Sequence, residues 1–91
     1  MAWIVTLHRK AEKQAVNMPK AALAALFELM DSIRQYGPVR GDWPNYGKLS
    51  DSRHHCHLKK GKPTYVAVWV EDKQLISVEV IYAGTHEKAP Y

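Results

Sequence analysis

The apolar residues change their spacing midway along the chain, and no other feature constrains the fold as tightly. Over residues 19–35, Leu23, Leu26, Phe27, Met30 and Ile33 recur at steps of three and four, which places them on one face of a helix. From Tyr46 onward the step is two, the repeat of a strand with one buried face. Between the two regimes lies GPVRGDWPN (37–45), the most turn-rich stretch of the sequence. A chain built this way packs helices against a sheet.

The remaining elements follow from the same reasoning. Residues 2–7 read as a strand, with Trp3, Val5 and Leu7 alternating against Ile4 and Thr6. A short helix is predicted over 10–16 and ends at Asn17-Met18-Pro19, because the residue before a proline is pushed out of the helical region. The second helix, 19–35, has Pro19 in its first turn and Gly37-Pro38 as its stop. Residues 46–49 form a short strand or a lead-in. Residues 53–59, 64–71 and 74–83 are three strands, joined by LysGlyLysPro at 60–63 and a tight turn at Asp72-Lys73. The expected class is α+β in the order β-α-α-β-β-β, an antiparallel twisted sheet with both helices on one face, forming a single domain over 1–91.

Composition bounds the setting. The chain is 46% hydrophobic and 24% charged, without an apolar run approaching the roughly 18 residues that a membrane span needs. The opening MAWIVTLHRK is too short in apolar residues for a signal peptide, so a cytoplasmic protein with no membrane partner is expected. Cys56 is the only cysteine, which excludes an intrachain disulfide. Between Lys48 and Lys62 stand five basic residues (Lys48, Arg53, Lys59, Lys60, Lys62) and one acid, Asp51: 5 − 1 = +4, the whole net charge. Two readings fit this placement: a surface that meets phosphate, or a solvated edge hairpin guarded by lysines.

Within that basic segment, RHHCHLKKG (53–61) gathers three of the five histidines and the cysteine. Strand alternation puts His54, Cys56 and Leu58 on one face and Arg53, His55, His57 and Lys59 on the other. Cys56 and Leu58 are expected to meet the helices together with Val66, Val68 and Val70. His55 and His57 then point away with Tyr65 and Trp69. The pleat therefore divides the four metal-capable residues two and two, and neither CxxC nor HExxH spacing supports a third ligand such as His86, so neither metal nor any other cofactor is expected. Acid–base chemistry on RNA fits better. Cleavage by the ribose 2′-hydroxyl needs a base, an acid and cations around the charged transition state, and imidazoles flanked by lysines and arginine supply all three. Surface histidines gathered by chance are the competing account.

The end of the chain, VEVIYAGTHEKAPY, together with WIVTLHRKAEKQ at its start and YGKLSDSRHHCHLKKGKPTYVAVWV in the middle, resembles the RelE/ParE superfamily of type II toxins, in its RelE-like branch. The resemblance implies an endoribonuclease that cuts messenger RNA on the ribosome and leaves a 2′,3′-cyclic phosphate or its hydrolysis product. Carried onto this sequence, His55 or His57 is the general base, and His86 is the acid or a phosphate contact. Arg53, Lys59 and Lys88 stabilise transition-state charge, and Tyr91 stacks on a base. Lys48, Lys60 and Lys62 bind ribosomal RNA. An arginine common on the family's middle strand is replaced around Tyr65, which is left as an RNA-binding candidate. The implied partners are a cognate antitoxin that covers the basic face or displaces the C-terminus, and the ribosome with its message. Two alternatives stay open: a ParE-like DNA gyrase inhibitor, and a degenerate homologue that serves only as the antitoxin's partner in repression. The tail GTHEKAPY is expected to add little to any core.

Overall fold

The computed structural model describes residues 2–91. Strand β1 (Ile4–Leu7) is followed by helices α1 (Arg9–Ala15) and α2 (Lys20–Tyr36), then strands β2 (Gly47–Lys48), β3 (Arg53–Lys59), β4 (Tyr65–Asp72) and β5 (Ser77–Thr85), and a 3-10 turn, His86–Lys88. The sheet order is β1-β5-β4-β3-β2. The meander β3-β4-β5 is antiparallel as expected, β2 continues it, and β1 joins β5 in parallel, so the five-stranded sheet is mixed. No helix among the described residues is long and apolar enough to cross a membrane.

Local chemistry sets the element ends. His8 caps α1 by accepting the Lys10 N–H on its Nδ1 at 3.1 Å. After Pro19, α2 runs to Gly37, whose N–H closes on the Ile33 carbonyl at 2.8 Å with φ at 96°. A Cβ at Gly37 would lie 3.2 Å from the Trp3 indole nitrogen, so both the left-handed backbone and the close approach demand glycine. β5 begins three residues later than the alternation suggested. The Asp72 carboxylate accepts the N–H groups of Gln74 and Leu75 at 3.0 and 3.2 Å, and Ile76 turns with φ at 49°, which delays the strand.

Between helices and sheet, Ala11, Ala15, Ala22, Leu26, Leu29 and Ile33 pack on Cys56, Ala67, Trp69, Val78, Val80 and Ala83. Phe27, expected in the helical stripe, is instead exposed, and Leu29 takes the central place. A larger correction concerns β4, whose faces are opposite to expectation. Ala67 and Trp69 point to the helices, with Tyr65 packed beside them, while Val66, Val68 and Val70 face the other way. The sequence YVAVWV is apolar at every position, so alternation within it carries no phase, and a slip of one residue exchanges the faces completely. Pairing with β3 sets the phase: His55 is opposite Val68 and Cys56 opposite Ala67. Trp69 completes the inner core and donates its indole N–H to the Pro38 carbonyl at 2.9 Å.

The outer face of the sheet carries a small core of its own. Val66, Val68 and Tyr82 are buried there, packed against Leu49, Ile81 and Ala89. The C-terminal tail therefore does contribute to a core, contrary to the reading of GTHEKAPY as peripheral. It is held by the His86 N–H on the Thr64 carbonyl at 2.8 Å, and the Tyr82 hydroxyl donates to the Thr85 carbonyl at 2.6 Å. On the inner face, His54 is wholly buried between Tyr46 and Trp69. Its Nδ1 is 2.7 Å from the Tyr46 hydroxyl and its Nε2 is 2.8 Å from a Glu71 carboxylate oxygen. This chain of bonds ties β3 and β4 to the segment leading into β2.

Candidate active site

β3 delivers His55 and His57 to the outer face by simple alternation, and the 3-10 turn after β5 brings His86 over them. The His57 and His86 rings meet edge to face, with centroids 5.6 Å apart. The tail then folds back. Tyr91 lies on His55 at 4.7 Å and meets the edge of His86 at 5.9 Å. Four residues from two distant parts of the sequence thus form one cluster.

The electrostatics of the cluster follow from crowding. Burial, then neighbouring His57 and His86, lower the pKa of His55 below its ordinary value. His57 is lowered by burial first, then by His86 and Lys60. Both rings are therefore predominantly neutral at pH 7. The Nδ1 atoms of His55 and His57 are buried and have no hydrogen-bond partner among the described residues. Burial also raises the Tyr91 phenol above its ordinary value. Beneath the cluster, Cys56 faces the core, and burial pushes its thiol up to about 12, so it is no nucleophile at neutral pH. No group of three or more His, Cys, Asp or Glu among the described residues is placed to hold a metal ion.

Two cavities flank the cluster. One, of about 590 Å³, is lined by His57, Lys62, Thr64, His86 and Glu87. The other, of about 460 Å³, is lined by Ser50, Ser52, Arg53, Val70 and Tyr91. Arg53 is thus on the histidine face, although in the cavity beyond Tyr91. The remaining candidates are dispersed. Tyr65 and Lys88 line a groove with Gln14, Asn17 and Met18 of the helical layer, so Tyr65 does not share the face of His55 and His57. The strand is irregular between His57 and Lys59, which takes Lys59 out of the alternation. Lys48 pairs with His54 on the exposed edge strand and belongs to the helix side of the sheet. Lys60 is exposed at the hairpin tip, near enough to His57 to influence its titration.

Two contributions were hidden from the sequence reading. Gly47 lies directly beneath His55, and a Cβ there would be 3.0 Å from its Nε2. Ser50 and Ser52 belong to a loop that carries no motif. Only the strand pairing of β2 with β3 brings these residues to the site.

No protein-family model matches the chain, and no curated protein matches it in sequence. Solved structures do match in fold. A mutant of the Escherichia coli toxin RelE in the free state superposes with a TM-score of 0.76 at 15% identity, over 98% of this chain and 88% of that one. A chain of the archaeal RelE-RelB complex from Pyrococcus horikoshii gives 0.71 at 14% identity, over 98% and 100%. A metal-bound toxin from Helicobacter pylori gives 0.64 at 20%, over 97% and 98%. This chain has the RelE fold over essentially its whole length.

Proposed function

We propose that the protein is the toxin of a type II toxin-antitoxin pair and acts as an endoribonuclease on messenger RNA. The observation that carries this reading is the meeting of His57 and His86, edge to face at 5.6 Å, beside a cavity that also presents Lys62. Transfer at a ribose phosphate asks for two proton-transfer groups on opposite sides of one phosphorus. One imidazole, neutral, takes the proton of the 2′-hydroxyl as that oxygen bonds to phosphorus. The other, protonated, gives its proton to the 5′-oxygen as the P–O5′ bond breaks. The products are a 2′,3′-cyclic phosphate, open to later hydrolysis, and a free 5′-hydroxyl. Lys62 neutralises charge on the transferring phosphate, and Tyr91, whose ring lies tilted by 34° against His55, offers a surface to a base. The same surface is where a partner antitoxin would act, since covering it or lifting the tail removes Tyr91 from the cluster.

His86→Ala is the direct test, because His86 is exposed and its loss leaves the core untouched. Induced in cells, the wild type should halt translation, with message cleavage mapped by primer extension, and the variant should be slower by about 100- to 10,000-fold. If induction instead changes DNA supercoiling with messages intact, a gyrase target replaces this reading.

A further inference from the structure

The histidine cluster is a ridge between two cavities, and the second of them has the makings of a nucleotide site. It is lined by apolar Val70, aromatic Tyr91, the cation Arg53 and the hydroxyl residues Ser50 and Ser52. Among the described residues Arg53 has no ion-pair partner, although Asp51 is two positions away. The loop is already fixed in place. The Leu49 and Ser50 N–H groups both reach the Arg53 carbonyl, at 2.8 and 3.3 Å, and the Glu71 N–H bonds to the Ser52 carbonyl at 2.8 Å. An aromatic ring, an apolar side chain, hydroxyls that both donate and accept, and a free guanidinium suit a nucleoside with its phosphate. At about 460 Å³ the cavity is also large enough for one.

We infer that the Ser50/Ser52/Arg53/Tyr91 cavity is a subsite for the nucleotide next to the scissile phosphate, on the side of the histidines opposite Lys62. This rests on the ribonuclease reading and extends it. A single strand whose reacting phosphate lies at His57 and His86 must leave the ridge in both directions. One neighbour enters the Lys62 cavity and the other passes Tyr91 into this one. The two ends differ: the Lys62 side is lined by both a lysine and Glu87, whereas this side is lined by an arginine, two serines and no acidic side chain. Ser50 and Ser52 give this subsite two hydroxyls with which to hydrogen-bond a base.

An uncleavable probe separates this inference from the reading on which it rests. A trinucleotide of RNA carrying 2′-O-methyl groups throughout is titrated into isotopically labelled protein, and amide and imidazole shifts are followed by NMR. The expected result is movement of Ser50, Ser52 and Arg53 together with His57 and His86. Ser50→Trp, which fills the cavity from an exposed position, should abolish the loop shifts and weaken binding at least about fivefold, the low end for a stacked base. Arg53→Ala should weaken binding by a similar factor, with circular dichroism confirming that both variants are folded. Shifts confined to His57, His86 and the Lys62 side, with both variants binding as the wild type does, would overturn the subsite and leave the ribonuclease reading standing. Absence of any shift with the wild type would overturn both.

Discussion

His55 shows how one small residue can fix the position of a larger one. The imidazole rests on Gly47 and is covered by Tyr91, so its position depends on both neighbours. Gly47→Ala should tilt the ring, since a Cβ at 3.0 Å from Nε2 is closer than ordinary contact. The expected outcome is a loss of the ring-current shift that Tyr91 imposes on His55, at nearly unchanged melting temperature; unaltered His55 resonances would refute the contact. The crowding of histidines has a thermodynamic counterpart. His55 and His57 titrate below the ordinary value of 6.5 in the folded protein, so the unfolded chain binds protons more readily. Stability contributed by the neutral rings is complete above about 6.5 and is lost as pH falls through the depressed values. Melting temperature should therefore drop on acidification below pH 6.5, and less so in His57→Ala. A bound phosphate reverses the balance by favouring the charged rings, so affinity for RNA should rise as pH falls over the same range.

At the level of elements, β3 and β4 differ in how much they reveal. β3 alternates polar and apolar residues, so its bounds and both its faces could be read directly, including the burial of Cys56 and the exposure of His55 and His57 to the site. β4 is apolar from Tyr65 to Val70 because its second face is covered by the tail together with Leu49 and Ile81, and a strand covered on both sides carries no alternation to read. The same cover hid the structural role of the tail, since burial of Val66 and Val68 depends on Ala89 arriving from the far end of the sequence. Removing residues 89–91 should expose part of that cluster and cost about 1–2 kcal/mol, a fraction of the burial of two valines, measurable by urea titration. A loss close to zero would mean that Leu49 and Ile81 cover the valines unaided. The buried Tyr46–His54–Glu71 chain was equally illegible, because it joins three segments that only the sheet brings together. Glu71→Gln should destabilise by about 1–3 kcal/mol through disruption of a buried polar network.

Across the whole molecule, charge and topology act together. The net +4 resides between Lys48 and Lys62, but the fold spreads it over more than one surface: Lys62 lines one cavity, Arg53 the other, and Lys48 lies on the helix side. RNA affinity should fall steeply with salt, and replacing Lys60 and Lys62 together by alanine should reduce the slope of log affinity against log salt by about 1 to 1.5. An unchanged slope would make the hairpin tip a solvated edge and nothing more. The position of His86 and Tyr91 after the last strand also has a consequence for synthesis. Translation proceeds from the N-terminus, so every helix and strand is made before the residues that close the cluster. A chain that has been made as far as Thr85 contains the residues of every strand and still lacks His86 and Tyr91. The cluster can therefore be complete only once translation has passed Tyr91.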